Sequence, residues 1–176
     1  MQRIILIGYM GAGKTTVGHA LSKATGLPFY DLDWYIGNRR RTTATELFNT
    51  IGEENFRIIE RNMLHEVAEF ENIILSCGGG TPCFFDNMDY LNRQGETFYL
   101  KASIDVLTSH LKMARIERPM LQGKNEEELR TFIEKHLAER EHIYQQAKHT
   151  INVDVLNTHQ RIHTIVEKIK ELTTNN

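Results

Sequence analysis

The sequence predicts an α/β fold in which a parallel sheet lies between layers of helix. Three observations lead there. Five short apolar runs recur along the chain: RIILI (3–7), PFYD (28–31), NIILS (72–76), TFYL (97–100) and TINV (150–153). Runs such as RIILI show no period-two alternation, which suits strands covered on both faces rather than strands with one wet face. Longer amphipathic segments separate the runs, so the pattern reads as successive βαβ units. The first run also passes directly into GYMGAGKTT, Gly8 to Thr16, a glycine-rich stretch between a strand and a helix.

Taken in order, the first strand hands over to a G-x-x-x-x-G-K-[ST] pattern at Gly8, Gly13, Lys14 and Thr15. Glycines let backbone N–H groups turn inward around an anion, and the following helix offers its N-terminus to the same charge. Gly11, Ala12, Gly13, Lys14, Thr15 and Thr16 are therefore the expected contacts of an ATP or GTP phosphate chain, with Lys14 on the β/γ-phosphates and Thr15 on Mg²⁺. The helix KTTVGHALSKATG stops at Gly26.

The second strand ends in DLD, which puts Asp31 and Asp33 at the carboxyl edge of the sheet, where open α/β folds bind ligands. Alternate strand residues share a face, so both carboxylates can address one volume, one for a metal and the other for a hydroxyl. A helix cap ahead of WYIGNRR would explain Asp33 alone. The next helix, 52–70, carries Phe56, Ile59, Met63 and Val67 at helical spacing, with Glu60 one turn from Arg57 and able to hold it. The third strand runs into SCGGG, where Ser76 can help hold a metal's water shell. Gly78, Gly79 and Gly80 open the backbone to close approach. A guanine-reading NKxD segment is absent, and no acid follows this strand as in a hydrolysing NTPase. Pro119 and Gly123 interrupt two helical patterns and mark 116–125 as a mobile loop. A long helix over 125–147 and an amphipathic helix over 159–172 complete the chain.

Bulk properties exclude several classes. With 21 basic against 23 acidic residues in 176, no broad positive field exists for a nucleic-acid backbone. The aliphatic run Ile4 to Ile7 is too short for a membrane span or a signal-peptide core, so a soluble, cytoplasmic protein is expected. Cys77 and Cys83 flank GGGTP at a spacing that fits neither a CxxC pair nor a zinc knuckle, and they read as reduced thiols.

The motifs GYMGAGKTT, DLD, FNTIGEENFRIIE, GGG, RPML and REHIY, in that order from Ile4 to about Asp154, resemble the shikimate kinase family. The phosphate loop is shared by many kinases; GEENFRIIE with GGG and the later RxxxY is far narrower. The resemblance implies a small P-loop kinase of three α/β/α layers, with a five-stranded parallel sheet in one domain over 1–176, a substrate-binding helical segment at about 32–61 and a closing lid at about 112–125. It implies transfer of the γ-phosphoryl of ATP to the 3-hydroxyl of shikimate with Mg²⁺, by a monomer acting on two small molecules. Asp33, Arg57, Arg140 and the glycines Gly78, Gly79 and Gly80 would contact shikimate. Lys14, Thr15 and Asp31 would stand on the nucleotide and metal side, and the lid arginine Arg118 would reach the transferring phosphoryl. Lys14, Asp33 and Arg118 would be the catalytic set. Lys112 and Arg115 both remain candidates for the adenine contact, beside a loop at about 155–158. Two rivals stand: a kinase of another carboxylate such as gluconate, and a non-catalytic nucleotide-binding module.

Overall fold

The computed structural model describes residues 2–113, 121, 123–154 and 159–174. Five strands, β1 (Arg3–Ile7), β2 (Phe29–Asp31), β3 (Ile73–Ser76), β4 (Glu96–Lys101) and β5 (His149–Asn152), form one sheet in the order β2-β3-β1-β4-β5. Every pairing is parallel. The last four residues of β1 and all of β3 are buried, as expected of runs with helices on both faces.

Helix α1 (Lys14–Thr25) joins β1 to β2 and buries Val17, Gly18 and Leu21. Between β2 and β3 lie α2 (Leu32–Arg40), α3 (Ala44–Ile51) and α4 (Glu53–Ala68). Helix α4 buries Phe56, Glu60, Leu64, Val67 and Ala68, so the stripe expected at 56, 59, 63 and 67 is rotated slightly, with Ile59 and Met63 at its margin. Helix α3 has no fully buried residue and leans on the core through Leu47, Phe48 and Ile51. Then follow α5 (Asn87–Gln94), α6 (Ile104–Met113), α7 (Glu126–Ala138), α8 (Glu141–Tyr144) and α9 (His159–Thr174).

Two expectations are corrected. The segment 125–147 is not one helix: after α7 the Arg140 N–H bonds back three residues to the Leu137 carbonyl, and a new short helix starts. The break re-aims Tyr144, whose ring is fully buried and whose hydroxyl donates to the Gly79 carbonyl at 2.5 Å. Strand β2 also stops at Asp31, so Asp33 belongs to the first turn of α2 and not to the strand.

The connection leaving β1 runs toward β2, while that leaving β3 crosses to β4 on the other side. The crevice between the carboxyl ends of β1 and β3 is thus the switch point where such sheets take ligands. Among the described residues no helix is long and apolar enough to cross a membrane.

Candidate active site

The phosphate loop hangs from the end of β1. Gly13, at the N-cap of α1, has φ 85°, a left-handed conformation that glycine adopts at little cost. No side chain caps this helix, so its first-turn N–H groups stay available to an anion. Lys14 Nζ donates to the carbonyls of Gly8 at 2.8 Å and Tyr9 at 2.9 Å, which folds its charge over the loop. Two contacts outside the motif brace it. His110 of α6 bonds the Gly11 carbonyl at 2.7 Å, and the Tyr9 hydroxyl meets Nδ1 of His136 on α7 at 2.9 Å. Burial and nearby Arg140 hold the His136 imidazole below its usual pKa.

A cleft of about 410 Å³ opens beside the loop, and Lys14, Thr15, Thr16, Asp31, Asp33, Ser76, Gly78 and Gly79 all border it. Asp31 and Ser76 stand opposite each other at the ends of β2 and β3. Asp31 is also the N-cap of α2, accepting from the Trp34 N–H at 3.1 Å, so the capping role open to Asp33 falls to Asp31. Strand alternation does not bring the two carboxylates together; the strand-to-helix turn does. Asp33 lies against Gly78, where an added Cβ would stand 3.2 Å from the Asp33 carboxylate.

Beyond Asp33 the site becomes cationic. Arg57 Nη1 donates to buried Glu60 at 2.8 Å, the expected one-turn pair, and Nη2 reaches exposed Glu53 at 3.2 Å. The second Glu60 oxygen accepts from the Thr81 hydroxyl at 2.7 Å, and the Phe84 ring lies 4.1 Å below the guanidinium. A Cβ on Gly80 would fall 2.5 Å from Arg57 Nη2. The clearance at Gly80 therefore admits the protein's own arginine. Arg140 lies at the α7–α8 break; burial pushes the Cys83 thiol up, while the charges of Arg140 and Arg57 both pull it back. Cys77 and Cys83 are free thiols, and burial drives Cys77 far above the ordinary thiol range.

Thr15, Asp31 and Ser76 present hard oxygen donors to one cleft. That set fits Mg²⁺ held largely through nucleotide phosphates and water, the usual manner for this ion. Among the described residues no three His, Cys, Asp or Glu side chains gather into a metal site.

A family model described as shikimate kinase matches residues 10–171. The chain belongs to the shikimate kinase family. Shikimate kinase from Bacteroides thetaiotaomicron is 51% identical over 172 residues, covering 98% of each chain. The crystal structure of shikimate kinase from that organism superposes with a TM-score of 0.93 at 50% identity over 97% of both chains. Shikimate kinase from Acinetobacter baumannii, solved in complex with shikimate, gives a TM-score of 0.87 at 29% identity, covering 100% of this chain and 94% of that one.

In this shikimate kinase chain, Lys14 and Asp33 border one cleft, and Arg57 stands against Gly80 at the end of the glycine run beside it. Lys112 of α6 is bound to Glu126. Arg115, Arg118 and the 155–158 loop lie outside the described residues. Sequence reasoning missed His110, Tyr144 and Phe84. Tyr144 carried a signal, as the last residue of REHIY; His110 and Phe84 carried none, because their roles arise only from packing.

Proposed function

We propose that this kinase transfers the γ-phosphoryl of ATP to the 3-hydroxyl of shikimate through Lys14, Thr15, Asp31, Asp33, Arg57, Arg118 and Arg140, acting as a monomer. The observation that carries the reading is one cleft bordered by Lys14, Thr15 and Asp33, with Arg57 against Gly80 at the end of the adjoining glycine run. Arg57 and Arg140 are assigned to the acceptor side. Planar guanidinium groups suit the carboxylate of shikimate, and Glu60 with Phe84 presets one of them. Asp33 accepts a hydrogen bond from the attacking hydroxyl and aims it along the line of transfer.

As the substrate oxygen bonds to the γ-phosphorus, the bond to the β–γ bridging oxygen breaks, ADP leaves, and the hydroxyl proton passes through Asp33 to solvent. Lys14 stabilises the charge on the phosphates, and Arg118 of the lid at about 112–125 joins it. Mg²⁺, held through Thr15 with Asp31 and Ser76 at its water shell, neutralises phosphate charge when bound. The segment at about 32–61 binds the acceptor.

A coupled ADP-release assay tests the reading. ADP should appear with shikimate, and not with gluconate or with no acceptor. Lys14→Met should nearly abolish release while leaving the circular dichroism spectrum unchanged. Equal ADP release with and without shikimate, or an active Lys14→Met variant, would overturn it.

A further inference from the structure

Helix α6 meets the phosphate loop at a single peptide. The His110 ring bonds the Gly11 carbonyl at 2.7 Å, and a Cβ on Gly11 would lie 3.1 Å from the Leu111 side chain. The helix is therefore pressed against the backbone here. A carbonyl oxygen can only accept, so Nδ1 of His110 must carry the hydrogen, and in the neutral ring Nε2 is left without one. The peptide joining Gly11 to Ala12 is trans and planar, which fixes its N–H opposite its C=O. Holding the Gly11 oxygen therefore also sets the Ala12 N–H, which here bonds the Tyr9 carbonyl at 3.2 Å. That bond closes the Tyr9–Ala12 turn on which the rest of the phosphate loop is built. His110 borders the same cleft as Lys14 and Thr15, while Lys112, two residues on, is occupied by Glu126.

We propose that His110 is a positioning residue for nucleotide: its Nδ1–H locks the Gly11–Ala12 peptide plane, and with it the Tyr9–Ala12 turn that shapes the phosphate loop. The proposal rests on the nucleotide-binding reading of the loop, and it makes a demand that few side chains meet. The amide nitrogen of asparagine occupies nearly the place of Nδ1, whereas that of glutamine occupies the place of Nε2.

Three variants and one spectrum test it. In the free wild-type protein above pH 8, nitrogen-15 NMR of the ring should report the Nδ1–H tautomer. MgADP binding by calorimetry should weaken about threefold to tenfold in His110→Ala and His110→Gln, the span of one neutral hydrogen bond, and return to within about twofold of wild type in His110→Asn. Shikimate affinity should not change across the series. An Nε2–H tautomer, rescue by glutamine equal to that by asparagine, or wild-type affinity in all three variants would overturn the proposal. Failure of the wild type itself to bind MgADP would instead overturn the nucleotide reading, and this proposal with it.

Discussion

Asp33 sits in the first turn of a helix that Asp31 caps, which separates the cap from the catalytic role proposed for Asp33. Asp33→Asn keeps the side chain's size and one acceptor oxygen but removes its charge, and the cap is untouched. A fall in kcat of at least about 10²-fold with unchanged Tm is expected, and near-normal turnover would remove Asp33 from the catalytic set. The two arginines should behave differently from each other. Losing either costs a charge-assisted hydrogen bond of about 1.5–3 kcal/mol, or about 10-fold to 150-fold in shikimate affinity, with MgADP affinity almost unchanged. Arg57→Ala also strands the buried Glu60 carboxylate, so it should lower Tm, whereas Arg140→Ala should not. Calorimetry with both ligands and a melting curve for each variant give the comparison.

The strands were readable because their signal is local: short apolar runs bounded by longer amphipathic segments suit strands, and each run falls within a residue or so of its observed place. Helices α2 and α3 were harder. Leu32–Arg40 buries only Leu32, Ile36 and Gly37, too sparse a stripe to stand out, and its start is hidden inside the DLD motif. Helix α3 did carry a signal in Thr43-x-x-Glu46, since the Thr43 hydroxyl accepts from the Glu46 N–H at 3.1 Å and the Glu46 carboxylate accepts from the Thr43 N–H at 3.2 Å. Of the site itself, the cradle and the carboxylates were visible as motifs. The stack of Phe84 under Arg57 was not, because it joins residues 27 apart through a turn that no short pattern specifies. The cap is measurable: Thr43→Ala should cost about 1 kcal/mol and lower Tm by about 2–4 °C. No change in melting would show that α3 contributes nothing to the cooperative unit.

The edge strand β5 is fastened to the rest of the molecule partly through Glu96, which bonds Lys148 and His149 at 2.9 Å each. Burial pushes the Glu96 carboxyl up, but these hydrogen bonds and charges outweigh it and hold the group below its ordinary value of 4.5. A carboxyl depressed by folding stabilises the native state above its unfolded pKa, and that contribution fades as pH falls through the folded value. The Tm difference between the wild type and Glu96→Gln should therefore be largest near neutrality and shrink below about pH 4.5; a difference that grows with acid would contradict the assignment.

The sheet order places β1, from which the phosphate loop hangs, between β3 and β4, while α3, in the segment proposed to bind the acceptor, has no fully buried residue. Opening free energies follow burial, so the two regions should keep different clocks. Amide hydrogens of α3 should exchange with solvent well before those of β1, and equal rates would show that the proposed acceptor segment is as firmly held as the sheet that carries the nucleotide loop.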